Sequence, residues 1–159
     1  MMATIRAAAI GDEDVLAKLN GFVQAPHLQR RPDHFKHTHL PELAAWYRSV
    51  LGKPTARIWI AEDHGTPVGY VLATFQRAPE NPFVQARDWC EIDQIAVEPN
   101  HRKRGIARLL ILTVIVNARG EGIHKIEATS WSFNEGTHEM LRRLGFAPKT
   151  VRFELESLG

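Results

Sequence analysis

Arg102, Lys103 and Arg104 stand in a row, followed at once by Gly105 and then by an apolar run from Ile106 to Val116. Three cations at the start of a buried helix would be costly to desolvate, so this turn faces solvent or an anion. The first turn of a helix leaves N–H groups without intrahelical partners and carries partial positive charge. A glycine there lets a ligand approach the backbone closely. Strand, short basic loop and helix together make a phosphate site, and the concentration of charge points to a diphosphate.

Known phosphate loops divide the alternatives. A P-loop needs Gly-Lys-Ser/Thr, which is absent, and a dinucleotide fingerprint needs three spaced glycines where only Gly105 is present. A third pattern, Arg/Gln-x-x-Gly-x-Gly/Ala, is met by Arg102, Gly105 and Ala107, between the strand-like EIDQIAV and the apolar helix. Further on, NEGTHEMLRRLGF (Asn134–Phe146) is similar to an Asn…Leu-Gly-Phe segment that accompanies this loop. On these motifs the chain resembles the GCN5-related N-acetyltransferases (GNAT family), and the likeness in element order extends over essentially its whole length.

The resemblance implies acetyl-CoA as co-substrate and no metal. The backbone of Ile95, Ala96 and Val97 is then expected to pair with the pantetheine arm. The N–H near Ile95 would orient the thioester carbonyl and stabilise developing negative charge. Arg102, Lys103, Arg104, Gly105, Ile106 and Ala107 would hold the diphosphate, with the Arg102 and Lys103 side chains reaching other phosphates. Asn134 either touches pantetheine or caps its helix. An ammonium acceptor must lose a proton before it can attack, so a base is needed. Period two puts Glu91, Asp93 and Ile95 on one face of the strand. Glu91 matches the base position of histone-acetylating relatives, and Asp93 is the second candidate. Cys90 points the other way and reads as a core thiol. Many relatives carry a tyrosine acid where this chain has Leu141; His138 is the residue nearby that could give a proton.

These residues need elements to hold them. Thr4–Ala9 reads as a strand, and a helix follows from Asp12 as N-cap. Val23–His39, with two prolines and four histidines, reads as a loop, and its histidines have no metal-ligand spacing. Pro41 and Gly52 bracket a second helix. A strand–turn–strand follows, then Trp89–Val97 as a strand, the helix from Gly105 to about Arg119, a strand over 124–131, and a helix capped by Asn134 and ended by Gly145. Val151, Phe153 and Leu155 alternate in a closing strand. The expected class is α/β: a single GNAT-like domain over 1–159, a mixed central sheet flanked by helices, in the order β-α-α-β-β-β-α-β-α-β.

Bulk composition bounds the rest. The 159 residues are 44% hydrophobic with a net charge of +2, enough for a real core and too weakly basic for a nucleic-acid surface. The single cysteine forms no internal disulfide and suits a cytoplasmic, reducing setting. The apolar LLILTVIV run is too short for a bilayer. The expected function is transfer of acetyl to a primary amine of a small molecule or a protein, by direct attack in a ternary complex. A homodimer is common in the family that the chain resembles. The alternative is a non-catalytic sensor of CoA or acyl-CoA, supported by Leu141.

Overall fold

The computed structural model describes residues 3–157. They form two compact units, one ending at Thr129 and one beginning at Ser130. The first unit holds β1 (Thr4–Ala7), α1 (Glu13–Arg30), α2 (Leu40–Leu51), β2 (Ala56–Asp63), β3 (Thr66–Ala78), β4 (Arg87–Val97), a 3-10 turn (Pro99–His101), α3 (Ile106–Gly120) and β5 (Ile126–Ala128). Its sheet runs β1-β2-β3-β4-β5, with the first three pairings antiparallel and β4–β5 parallel.

Alternation along the strands sorts the core into two faces. Leu16 and Leu19 of α1 and Tyr47 and Val50 of α2 pack with Ile58, Ile60, Tyr70, Leu72 and Ala96. The intervening residues Trp59, Ala61, Val71 and Ala73 are also buried, on the opposite face. There α3, with Leu110, Ile111, Val114 and Ala118 buried, lies against β2, β3 and β4. A helix end with Gly122 at φ +78° stops α3: the Ile123 N–H reaches the Ala118 carbonyl at 2.9 Å and Gly122 reaches Arg119 at 3.0 Å.

The second unit contains α4 (Glu135–Arg143), ended in the same way by Gly145 at φ +94°, with the Phe146 N–H on the Leu141 carbonyl at 2.9 Å. The expected order holds through α4. The closing strand does not form: residues 147–157 carry no regular secondary structure, and Val151, Phe153 and Leu155 are exposed. A period-two pattern names a face but cannot supply the neighbouring strand that closes its hydrogen bonds. The expected loop Val23–His39 is also corrected. Helix α1 runs through Pro26 to Arg30, because one proline removes one N–H without undoing the turns around it, and only the stretch from Arg31 is irregular.

Strand β4 departs from regular pairing in two places. Its register against β3 shifts between Leu72 and Ala73: Leu72 faces Gln94 and Ala73 faces Ile92, so Asp93 is an extra, bulged residue. Next to the end of β4, Gly69 faces Val97, and a Cβ on Gly69 would stand 2.7 Å from the Ala96 carbonyl oxygen. Backbone cannot retreat cheaply from such a contact. Gly69→Ala is therefore expected to cost about 1–3 kcal/mol of stability by forcing β3 and β4 apart. Thermal melts check this, and an unchanged midpoint would show that the strands have slack there.

Candidate functional site

Strands β4 and β5 pair only at Cys90–Ile126, Glu91–Glu127 and Ile92–Ala128. Beyond Ile92, β4 continues to Val97 with β3 on one side and, among the described residues, no strand on the other. Half of the backbone N–H and C=O groups of Asp93–Val97 thus lie on an open edge, where an extended ligand can supply the missing strand. Ile95, Ala96 and Val97, expected to act through their backbone, sit on this stretch. Ala96 and Val97 are buried.

The chain then turns through Pro99–His101 into the basic loop. Lys103 and Gly105 both have positive φ, 62° and 78°, and Gly105 is the N-cap of α3. The first helical bond runs from the Leu109 N–H to the Gly105 carbonyl at 3.0 Å. Among the described residues no backbone acceptor is found for the N–H groups of Lys103, Arg104, Gly105, Ile106, Ala107 and Arg108. Buried Ile106 anchors the helix start in the core. Two contacts hold the loop from beneath: Arg104 reaches Asp63 at 3.3 Å, and His101 Nε2 lies 3.3 Å from the same carboxylate. Arg102 is partly committed elsewhere, since its Nε donates to the Val97 carbonyl at 3.2 Å.

The two candidate bases differ in surroundings. Glu91 accepts from the Trp89 indole N–H at 3.0 Å and from the Thr129 hydroxyl at 3.1 Å, one bond on each oxygen. Arg87 stacks over the Trp89 ring at 3.8 Å and pairs with Glu127 at 2.7 Å, which steadies that corner. Asp93 accepts from the Thr74 hydroxyl at 2.7 Å and lines a cavity of about 430 Å³. Asp93 is exposed overall, yet partial desolvation raises its carboxyl above its ordinary value; the Thr74 bond opposes the shift and the charge of Glu91 adds to it.

The expected sharing of one face by Glu91 and Ile95 is corrected. Glu91 is paired with Thr74 and Ile95 with Val71. Val71 and Thr74 are three steps apart on β3, hence on opposite faces, and the bulge at Asp93 is what breaks the alternation. Cys90, paired with Phe75, lies on the face away from Glu91, fully buried, and burial pushes its thiol up to about 11.

Four side chains near Asp93, Asn20, Tyr47, Tyr70 and Gln94, have no functional reading from sequence. The Tyr47 and Tyr70 hydroxyls lie 2.7 and 2.9 Å from Gln94 Oε1, and Asn20 donates to the Tyr70 hydroxyl at 3.0 Å. The available signals are an asparagine on an apolar helix face and a glutamine inside a strand.

In the second unit, Asn134 occupies the N-cap position of α4, but its side chain makes no cap hydrogen bond. His138 Nε2 donates to the Trp131 carbonyl at 3.0 Å, and Leu141 lies on the same helix. Among the described residues no group of three His, Cys, Asp or Glu side chains could hold a metal ion, and no helix is long and apolar enough to cross a membrane.

The acetyltransferase (GNAT) family profile matches residues 22–146, and the chain belongs to that family. An uncharacterised N-acetyltransferase of Methanocaldococcus jannaschii is 31% identical over 109 residues, 68% of this chain and 47% of that protein. The chain spans about half the length of the curated relatives it matches. Among solved structures, a tetramutant of the BH1408 protein from Bacillus halodurans superposes with a TM-score of 0.91 at 22% identity, over 97% of this chain and 99% of that one. A predicted acetyltransferase from Clostridium acetobutylicum, solved with acetyl-CoA, gives 0.73 at 20% identity, over 98% and 96% of the two chains. Likeness at that level of identity establishes the fold.

The Asp93 shift has a consequence for stability. A carboxyl whose pKa is raised on folding favours the folded state in acid, and that contribution is lost as pH rises through the folded pKa. At neutral pH the carboxylate is charged in both states and is held at a small cost in the fold, small because Asp93 is exposed to screening solvent. Asp93→Asn, which keeps an oxygen for Thr74, is expected to melt at or above the wild-type temperature at pH 7, with the gap closing in acid. A lower midpoint at pH 7 would place Asp93 in a stabilising role instead.

Proposed function

We propose that the chain is an N-acetyltransferase that uses acetyl-CoA and acetylates a primary amine by direct attack in a ternary complex. The observation that carries this reading is the open edge of β4 running into the unpartnered N–H groups of Lys103–Arg108. An arm that alternates amide donors and acceptors suits a strand edge, and a diphosphate suits a helix start. The neighbour solved with acetyl-CoA supports the same donor.

Acetyl-CoA supplies an activated acetyl group as a thioester. An N–H on the open edge near Ile95 holds the acetyl oxygen and favours negative charge on it. Asp93 takes a proton from the acceptor ammonium. Its raised pKa and its place on the cavity favour it over Glu91, whose oxygens already serve Trp89 and Thr129. Direct attack is supported by Cys90, a buried thiol with little thiolate at neutral pH. A thiolate leaves without an acid at moderate cost, since thiol pKa values lie near about 8.5, so Leu141 is compatible with turnover. One buried cysteine also fits a reducing, cytoplasmic setting.

A thiol-release assay over a panel of primary amines tests this. Acetyl-CoA consumption that depends on an amine is expected. Asp93→Asn should lower kcat/KM by roughly 10²–10⁴ with acetyl-CoA affinity retained, and Glu91→Gln by about tenfold or less. The reverse ranking would make Glu91 the base. Tight acetyl-CoA binding with no turnover on any amine would favour a sensor.

A further inference from the structure

Consecutive residues of a strand normally point to opposite faces, yet Asp93 and Gln94 line the same cavity, together with Leu72, Thr74, Phe75 and Trp46. The bulge at Asp93 brings this about. Gln94 is held by its oxygen alone. Burial pushes the phenols of Tyr47 and Tyr70 well up, so both stay protonated and each has one hydrogen to give. Their hydroxyls lie 2.7 and 2.9 Å from Gln94 Oε1 and 2.9 Å from each other, so two hydrogens serve three contacts and at least one of them is given to the Gln94 oxygen, which faces two hydroxyls and no acceptor-only group. Asn20 in turn donates to Tyr70 and fixes its ring. The amide is therefore locked with oxygen inward and its NH2 on the other side. Among the described residues nothing accepts from that NH2.

We infer that Gln94 is a specificity-determining residue of the acceptor cavity: its NH2 donates to an oxygen carried close to the reacting nitrogen. The substrate class is a primary amine with a carbonyl or hydroxyl within a few bonds, as in α-amino amides, N-terminal residues of peptides and amino alcohols. Asp93 serves the nitrogen and Gln94 the oxygen, while Trp46, about half exposed, offers apolar surface to the rest of the molecule. A locked donor discriminates well, because an acceptor molecule without the oxygen leaves the NH2 desolvated and unpaired. This inference rests on the acetyltransferase reading.

The test uses matched acceptors, leucinamide against isoamylamine and phenylalaninamide against phenethylamine, which differ in the presence of the carboxamide. Wild type is expected to favour the amides in kcat/KM by about tenfold to a hundredfold. In Gln94→Leu the preference should fall to near unity. That variant strands two tyrosine hydroxyls, so Gln94→Glu accompanies it: it keeps an oxygen for Tyr47 and Tyr70 but turns the cavity group into an acceptor. There the preference should invert towards the plain amines. Wild type acetylating both members equally, or a preference unchanged in either variant, overturns the role of Gln94 while leaving the acetyltransferase reading intact. No acetylation of any amine would overturn both.

Discussion

Everything at the site depends on β4 and β5 separating after three paired residues. Backbone N–H and C=O groups on a strand edge need partners, and a fold that leaves a stretch of them open beside a buried core accepts a cost that a ligand can offset. The separation is held from both sides. Upstream, Cys90 and Ile92 are buried against the sheet's α3 side. Downstream, Gly69 lets β3 come close enough to Ala96 and Val97 that this end of β4 stays in the sheet with one neighbour. The strand then delivers the chain directly to the Lys103–Arg108 turn, where the helix start presents a second set of free donors.

The bulge gives the other half of the site. Without it, Asp93 and Gln94 would lie on opposite faces, and one of them would have to enter the α3 core. With it, a carboxyl raised by desolvation and an amide clamped by two phenols face the same cavity. The buried Asn20–Tyr70–Tyr47 group is polar matter in an otherwise apolar core between α1, α2 and the sheet. Its hydrogen bonds offset the cost of that burial, and they keep Gln94 from rotating.

Much of the donor side is legible in the sequence. The cations at Arg102–Arg104, the single Gly105 and the apolar run behind them specify a helix start open to an anion, because charge, φ and periodicity all point the same way. The acceptor side is not legible. Nothing in EIDQIAV marks Asp93 as an extra residue, since a bulge is decided by how two strands register and not by composition. Period two therefore puts Ile95 on the wrong face relative to Glu91. Val23–His39 reads as a loop although the helix continues through Pro26 to Arg30, and Val151–Leu155 reads as a strand although strand pattern without a partner leaves those side chains exposed. Asn20, Tyr47 and Gln94 are far apart in sequence, and only tertiary packing joins them.

Amide hydrogen exchange with and without acetyl-CoA tests most directly whether the open β4 edge and the loop after it form one donor site. Slowed exchange is expected together at Ile95 and Val97, whose N–H groups face the open side while that of Ala96 faces β3, and at Lys103–Arg108, because the ligand would accept from N–H groups that now have no protein acceptor. Exchange unchanged at both segments while acetyl-CoA is bound, or protection confined to another part of the chain, would contradict that site.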